Sequence, residues 1–193
     1  MVSESLESVV LILGGARSGK SRFAQELARR AGGDVLYVAT AELRDEEMRS
    51  RAEAHRAERP AGWETVEEPL ALGTAVRSGS AATVIVDCLT LWASNVLERF
   101  VGEAEPPPAP SLVEARRFAL EELERALEAA RERRLLFVSN EVGQGIVPLG
   151  GLARAYRDLL GEVNQFVARR AGQVYLMVAG LPVDIRRLAE PGG

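Results

Sequence analysis

One octet constrains this chain more than any other stretch: Gly14-Gly15-Ala16-Arg17-Ser18-Gly19-Lys20-Ser21. It fits the spacing Gly-x4-Gly-Lys-Ser, in which glycines let the backbone turn tightly and aim its N–H groups at an anion. In that reading residues Gly14 to Gly19 form a phosphate cradle. Lys20 places a point charge at the β- and γ-phosphates of a nucleotide, and Ser21 offers its hydroxyl to Mg²⁺. The flanks separate such a P-loop from a chance glycine turn. Val9-Val10-Leu11-Ile12-Leu13 precedes it as an apolar run of strand length. Arg22 to Arg30 follows, with Phe23 and Leu27 on one helical face, and Gly32-Gly33 stops the helix. That helix aims the positive end of its dipole at the same phosphates.

The chain of 193 residues suits a single α/β domain spanning 1–193, with residues 1–8 and 186–193 read as loose ends. A net charge of −4 gives little support to a nucleic-acid partner, because a phosphate backbone calls for a basic surface. Cys88 is the one cysteine, so neither an internal disulfide nor a cysteine zinc cluster can form. No apolar run approaches a membrane span. Met1-Val2-Ser3-Glu4-Ser5 lacks the basic start of a signal peptide, and the cytoplasm is the expected compartment.

Further strands are expected at Val35–Ala39, Thr83–Val86, Leu135–Val138 and Val174–Ala179. The second ends at Thr40-Ala41. The third ends at Asp87, an apolar strand closing on an acid, which is the Walker B form that reaches Mg²⁺. Leu91, Trp92, Val96 and Phe100 form a stripe read as core. Long helices are expected over residues 112–133 and 152–170. Residues 61–82 are mixed, with a turn-rich stretch from Gly73, and Pro106 to Pro110 reads as a stiff loop. Strands alternating with helices predict a mainly parallel sheet covered on both faces, in a recombinase-like P-loop architecture. In such sheets ligands gather outside the carboxyl ends of the strands. That places the P-loop, Thr40, Asp87, Asn140-Glu141 and Gly180 along one edge.

A helix from about Asp45 to Pro60 carries His55, the only histidine. On residue types alone, a surface or half-buried histidine without chemical role is the plainer reading. A lone imidazole nevertheless limits the choices for a nitrogen nucleophile or near-neutral base. Trp63 likewise reads as packing and Glu67 as a solvated charge.

Several stretches together resemble one family, the bifunctional adenosylcobinamide kinase/adenosylcobinamide-phosphate guanylyltransferases of cobalamin biosynthesis. They are the P-loop octet, Tyr37-Val38-Ala39-Thr40-Ala41, Asp45-Glu46-Glu47-Met48 leading to His55-Arg56 and Arg59-Pro60, and Trp63 with Glu67. Asp87-Cys88-Leu89-Thr90, Asn140 to Pro148, Ala153-Arg154, Arg157-Asp158, Asn164-Gln165 and Gly180-Leu181-Pro182 continue the match. The resemblance implies phosphorylation of adenosylcobinamide by ATP or GTP. It also implies transfer of GMP from GTP, carried on a histidine, to give adenosylcobinamide-GDP. The guanylylated histidine falls on His55. The nucleotide-contacting positions fall on the P-loop, Ala39, Thr40, Ala41, Arg56, Ala57, Glu58, Arg59, Glu67 and Asp87, with Mg²⁺ at Ser21 and Asp87. A homotrimer is implied as well. Two departures stand out: Ala54 precedes His55 where some members carry a second histidine, and the Walker B acid is Asp87 where the family can have Glu. The alternatives are a monofunctional small-molecule P-loop kinase and a nucleotide-gated DNA-binding module.

Overall fold

A computed structural model describes residues 6–42, 46, 56 and 59–189. Its centre is a sheet of seven strands: β1 (Leu6–Gly14), β2 (Val35–Ala39), β3 (Glu64–Glu67), β4 (Thr83–Asp87), β5 (Arg134–Val138), β6 (Ala171–Val178) and β7 (Leu181–Asp184). Their spatial order is β3-β2-β4-β5-β1-β6-β7, and every pair is parallel except β6–β7. Among the described residues, the helices with full bounds that cover it are α1 (Lys20–Ala31), α2 (Leu72–Arg77), α3 (Leu89–Val101), α4 (Ala109–Ala129) and α5 (Gly151–Arg170). The central strands are apolar without interruption because both of their faces are buried. Within β1, Val9, Leu11 and Leu13 join the core shared with α2, α3, α4 and α5, while Val10 and Ile12 join a smaller core against α1. This is the α/β P-loop architecture expected.

Several local readings change. Leu6–Ser8 are not loose; they lie in β1, where Leu6 pairs with Ala171, because β6 begins early enough to offer a partner. At the other end, the Arg186 guanidinium donates to the carbonyls of Ala168 and Ala171, tying the segment after β7 to the end of α5. The mixed segment contains β3 and α2. The α2 entry is set by Glu68, whose carboxylate accepts the Leu70 and Ala71 N–H groups at 2.9 and 2.8 Å. α4 starts at Ala109, with Pro110 in its first turn, where a missing N–H costs nothing. β7 forms a tight hairpin with β6 across Ala179 (φ 51°) and Gly180 (φ 83°), both in the left-handed region that two-residue hairpins favour. Leu91 is not core: Trp92 and Val96 are fully buried, but Leu91 is 36% exposed. The helix expected between Asp45 and Pro60 lies outside the described residues apart from Glu46 and Arg56, both helical and exposed.

Candidate active site

β1 ends at Gly14, and the P-loop carries the chain from there into α1. Gly14 (φ 152°) and Gly19 (φ 93°) adopt angles that side chains disfavour, and Arg17 (φ 56°) is also left-handed. At Gly14 a Cβ would lie 2.6 Å from the Met177 carbonyl of β6, so the loop sits directly on the neighbouring strand. The Gly180 N–H donates to Ser18 O at 3.1 Å and clamps the loop from the β6–β7 hairpin. Lys20 is buried, and its Nζ donates to the Gly15 carbonyl at 2.7 Å. Burial lowers its pKa, opposed by Cys88 and Asp87. The ammonium thus lies folded against its own loop, positioned for an incoming phosphate.

A cavity of about 400 Å³ opens beside it. Ala16, Arg17, Lys20 and Ser21 form one wall, Ala39, Ala41 and Arg59 another, and Asp87 stands between them. Eight of the sequence-predicted residues therefore meet at one place, outside the carboxyl ends of β1, β2 and β4. Gly14, Gly15, Ser18 and Gly19 build the loop without lining the cavity. Thr40 is fully buried: its hydroxyl donates to Cys88 O at 2.7 Å and accepts from Cys88 N–H at 2.8 Å, fastening the end of β2 to that of β4. Glu67 is exposed and pairs with Arg56 at 3.2 Å. His55, Ala57 and Glu58 lie outside the described residues.

Six further residues line the cavity: Tyr37, Cys88, Thr90, Leu91, Val138 and Asn140. The Tyr37 hydroxyl donates to Asp87 Oδ2, and the Arg59 guanidinium stacks 3.6 Å from the centre of the Tyr37 ring. Burial first, then Asp87, raises the Tyr37 pKa, which keeps its proton available for that bond. Burial and Asp87 also push the Cys88 thiol up to about 11, so it is a protonated wall group and not a nucleophile near neutral pH. The polar loop after β5 was a sequence signal for Asn140. Tyr37 and Thr90 fall within the family-like stretches Tyr37–Ala41 and Asp87–Thr90, but no site role was legible for either, because their approach to Asp87 and Asn140 depends on strand register and helix entry. Glu141 does not line the cavity; its carboxylate accepts the Gly143 N–H at 2.7 Å. A larger cleft of about 600 Å³ lies around Glu7, Arg134 and Arg187 and holds none of the motif residues.

The family model described as cobinamide kinase / cobinamide phosphate guanyltransferase matches residues 10–185. The chain belongs to this family. It is 46% identical over 183 residues to the bifunctional adenosylcobalamin biosynthesis protein CobP of Pseudomonas aeruginosa, covering 91% of this chain and 96% of that protein. It is 39% identical over 183 residues to the protein CobU of Salmonella typhimurium, covering 92% and 99%. Among solved structures, an ATPase from the type III secretion system of pathogenic bacteria superposes with a TM-score of 0.52 at 12% identity. That match covers 97% of this chain, which spans 60% of the ATPase, and it speaks for the fold alone.

Proposed function

We propose that this cobinamide kinase / guanyltransferase family member phosphorylates adenosylcobinamide with ATP or GTP and then transfers GMP from GTP to the product. The observation that carries the reading is the meeting of Lys20, Ser21 and Asp87 in one cavity, in a chain matched along most of its length by bifunctional relatives. In the first reaction the corrinoid hydroxyl oxygen bonds to the γ-phosphorus and the β–γ bridging P–O bond breaks. The nucleoside diphosphate leaves with the electron pair, and the hydroxyl proton passes to water. Lys20 and the loop N–H groups hold the phosphates where negative charge develops on the leaving group.

In the second reaction an imidazole nitrogen of His55 bonds to the α-phosphorus of GTP and pyrophosphate departs. A phosphate oxygen of the phosphorylated corrinoid then displaces the imidazole and yields adenosylcobinamide-GDP. A phosphoramidate is reactive enough for that second transfer. Arg56, Ala57, Glu58, Arg59 and Glu67 are assigned to the nucleotide on the same family resemblance, as are Ala39 and Ala41. Ser21 and Asp87 supply hard oxygen atoms of the kind Mg²⁺ takes from protein while completing its shell with water and phosphate. Bound there, Mg²⁺ would supply charge neutralisation on the β- and γ-phosphates. A homotrimer is part of the reading and rests on resemblance alone, and the cytoplasm is kept as the expected compartment from the N-terminal sequence. No observation favours the monofunctional kinase or the DNA-gated module.

The test is the intact mass of the protein after incubation with Mg²⁺ and GTP, with and without His55→Ala, beside a cobinamide kinase assay. Wild type should gain one GMP. The variant should gain none while retaining kinase activity. An adduct that persists in His55→Ala, or maps to Lys20, would remove His55 from the mechanism.

A further inference from the structure

β5 occupies a special place: it lies between β4, which ends in Asp87, and β1, which feeds the P-loop. Val138 is level with Asp87 on one side and with Ile12 on the other. Beyond it the chain still follows β1, with Ser139 N–H donating to Ile12 O at 2.9 Å and Glu141 N–H to Gly14 O at 3.2 Å. Asn140 is therefore delivered between the two phosphate-site motifs.

Its backbone is pinned from two further elements. The Asn140 N–H donates to Thr90 Oγ1 at 2.8 Å, in the first turn of α3. The Asn140 carbonyl accepts from Asn164 Nδ2 at 3.0 Å, from α5. Thr90 is itself seated: it is buried, and its carbonyl accepts the Tyr156 hydroxyl at 3.3 Å. Both bonds to Asn140 use its main-chain atoms. Its carboxamide makes no hydrogen bond among the described residues, and Asn140 lines the cavity with Lys20 and Asp87. The neighbouring Glu141 carboxylate is engaged within its own loop. The fold thus fixes the backbone that carries a neutral amide and leaves the amide's donor unspent.

A P-loop lysine reaches the β- and γ-phosphates, and a Walker B acid acts through the metal that bridges them. A group set between the two strand ends would then stand beside a bound γ-phosphoryl group. The α-phosphate, where GMP is cut off, lies one phosphate beyond the pair that Lys20 serves. We propose that the Asn140 carboxamide is a catalytic group of the kinase reaction, donating from Nδ2 to a non-bridging γ-phosphoryl oxygen as the group passes to the corrinoid hydroxyl. This rests on the functional reading above. Neutrality matters, since a carboxylate at that point would repel the phosphates, whereas an amide donates without altering the charge of the site.

Asn140→Ala, Asn140→Asp and Thr90→Val are to be assayed in the full chain for cobinamide phosphorylation and, separately, for formation of the covalent GMP adduct. Asn140→Ala should lower kinase kcat about 10²-fold, the usual cost of one transition-state donor, with little change in nucleotide KM. The ratio of kinase to adduct rate should fall at least about tenfold, again for loss of a single donor. Asn140→Asp keeps the size of the side chain and should lose at least as much. Thr90→Val should shift the ratio in the same direction, and the double variant with Asn140→Ala should be no worse than Asn140→Ala alone, because both remove one interaction. Equal losses in both reactions, a loss confined to KM, or additive losses in the double variant would overturn the proposal. Adduct formation doubles as the check that each variant folds. Wild type that does not phosphorylate cobinamide would instead overturn the functional reading itself.

Discussion

The hydroxyl of Tyr37, on β2, donates a hydrogen bond to Oδ2 of Asp87 at the end of β4. Ala39 is the register partner of Asp87, so Tyr37 reaches it diagonally from two positions back along its own strand. The bond engages Oδ2 as acceptor and leaves Oδ1 as the oxygen that could take Mg²⁺. In Tyr37→Phe the ring and its stacking with Arg59 are kept and only the donor is lost. The half-saturating Mg²⁺ concentration for kinase activity should rise about tenfold or more, as it does when a partner that orients a metal ligand is removed. An unchanged Mg²⁺ dependence would show that Asp87 needs no such support.

Gly14 is required by its contact with β6 more than by its angle. A Cβ there would meet Met177 O at 2.6 Å and Ser18 Oγ at 2.7 Å. Backbone cannot give way cheaply, so Gly14→Ala should displace the loop relative to the hairpin. Kinase and adduct rates should both fall, by roughly 10²-fold, the cost of an ångström-scale misplacement of reacting groups. Calorimetric titration with a non-hydrolysable GTP analogue checks that nucleotide affinity falls with them.

Two helical glycines should behave oppositely. A Cβ at Gly73 of α2 would lie 2.5 Å from Arg125 Cβ of α4, whereas at Gly161 of α5 it would meet nothing within 4 Å. Gly73→Ala should therefore destabilise the chain by about 1–3 kcal/mol through overpacking. Gly161→Ala should stabilise it by about 0.5–1 kcal/mol, because alanine loses less freedom in a helix. Urea unfolding of both variants reads the two signs directly.

Glu105, in the loop before α4, caps α5 from a distance. Its carboxylate oxygens accept the N–H groups of Gly151 at 2.6 Å and Leu152 at 3.0 Å, at the positive end of that helix. The Leu152 and then the Gly151 hydrogen bond hold its pKa below the ordinary carboxylate value. The sign follows from that depression: the folded state binds its proton less readily than the unfolded state. The contribution to stability is present above the unfolded pKa and is lost as pH falls through the folded one. Glu105→Gln should lower stability near neutral pH, and the difference from wild type should shrink towards acid. Denaturant unfolding at neutral and acid pH checks this, and a difference independent of pH would assign the cap to geometry alone.

The sequence by itself determined the parts whose physics is local. Gly14 to Ser21 can do little else between an apolar strand and an amphipathic helix, and the apolar runs within Val35–Ala39 and Thr83–Asp87 declare buried strands. Asp87 followed from its place at the end of such a strand, and family membership was legible in motifs spread over most of the chain. The His55 assignment came from those motifs alone, since that residue lies outside the described structure. Tertiary structure decided what depends on partners remote in the chain. β3 is four residues with exposed ends and becomes a strand only beside β2. α2 depends on Glu68 and on the close approach of α4, and β7 on the left-handed turn at Ala179-Gly180. Leu91 follows the stripe of Trp92 and Val96 in sequence yet faces the cavity, because α3 enters at the mouth of the site. Tyr37 and Thr90 join the site through strand register and helix entry, and Asn140 through the insertion of β5 between β4 and β1. Strand order is a property of pairing across the whole chain, and no window of neighbouring residues encodes it.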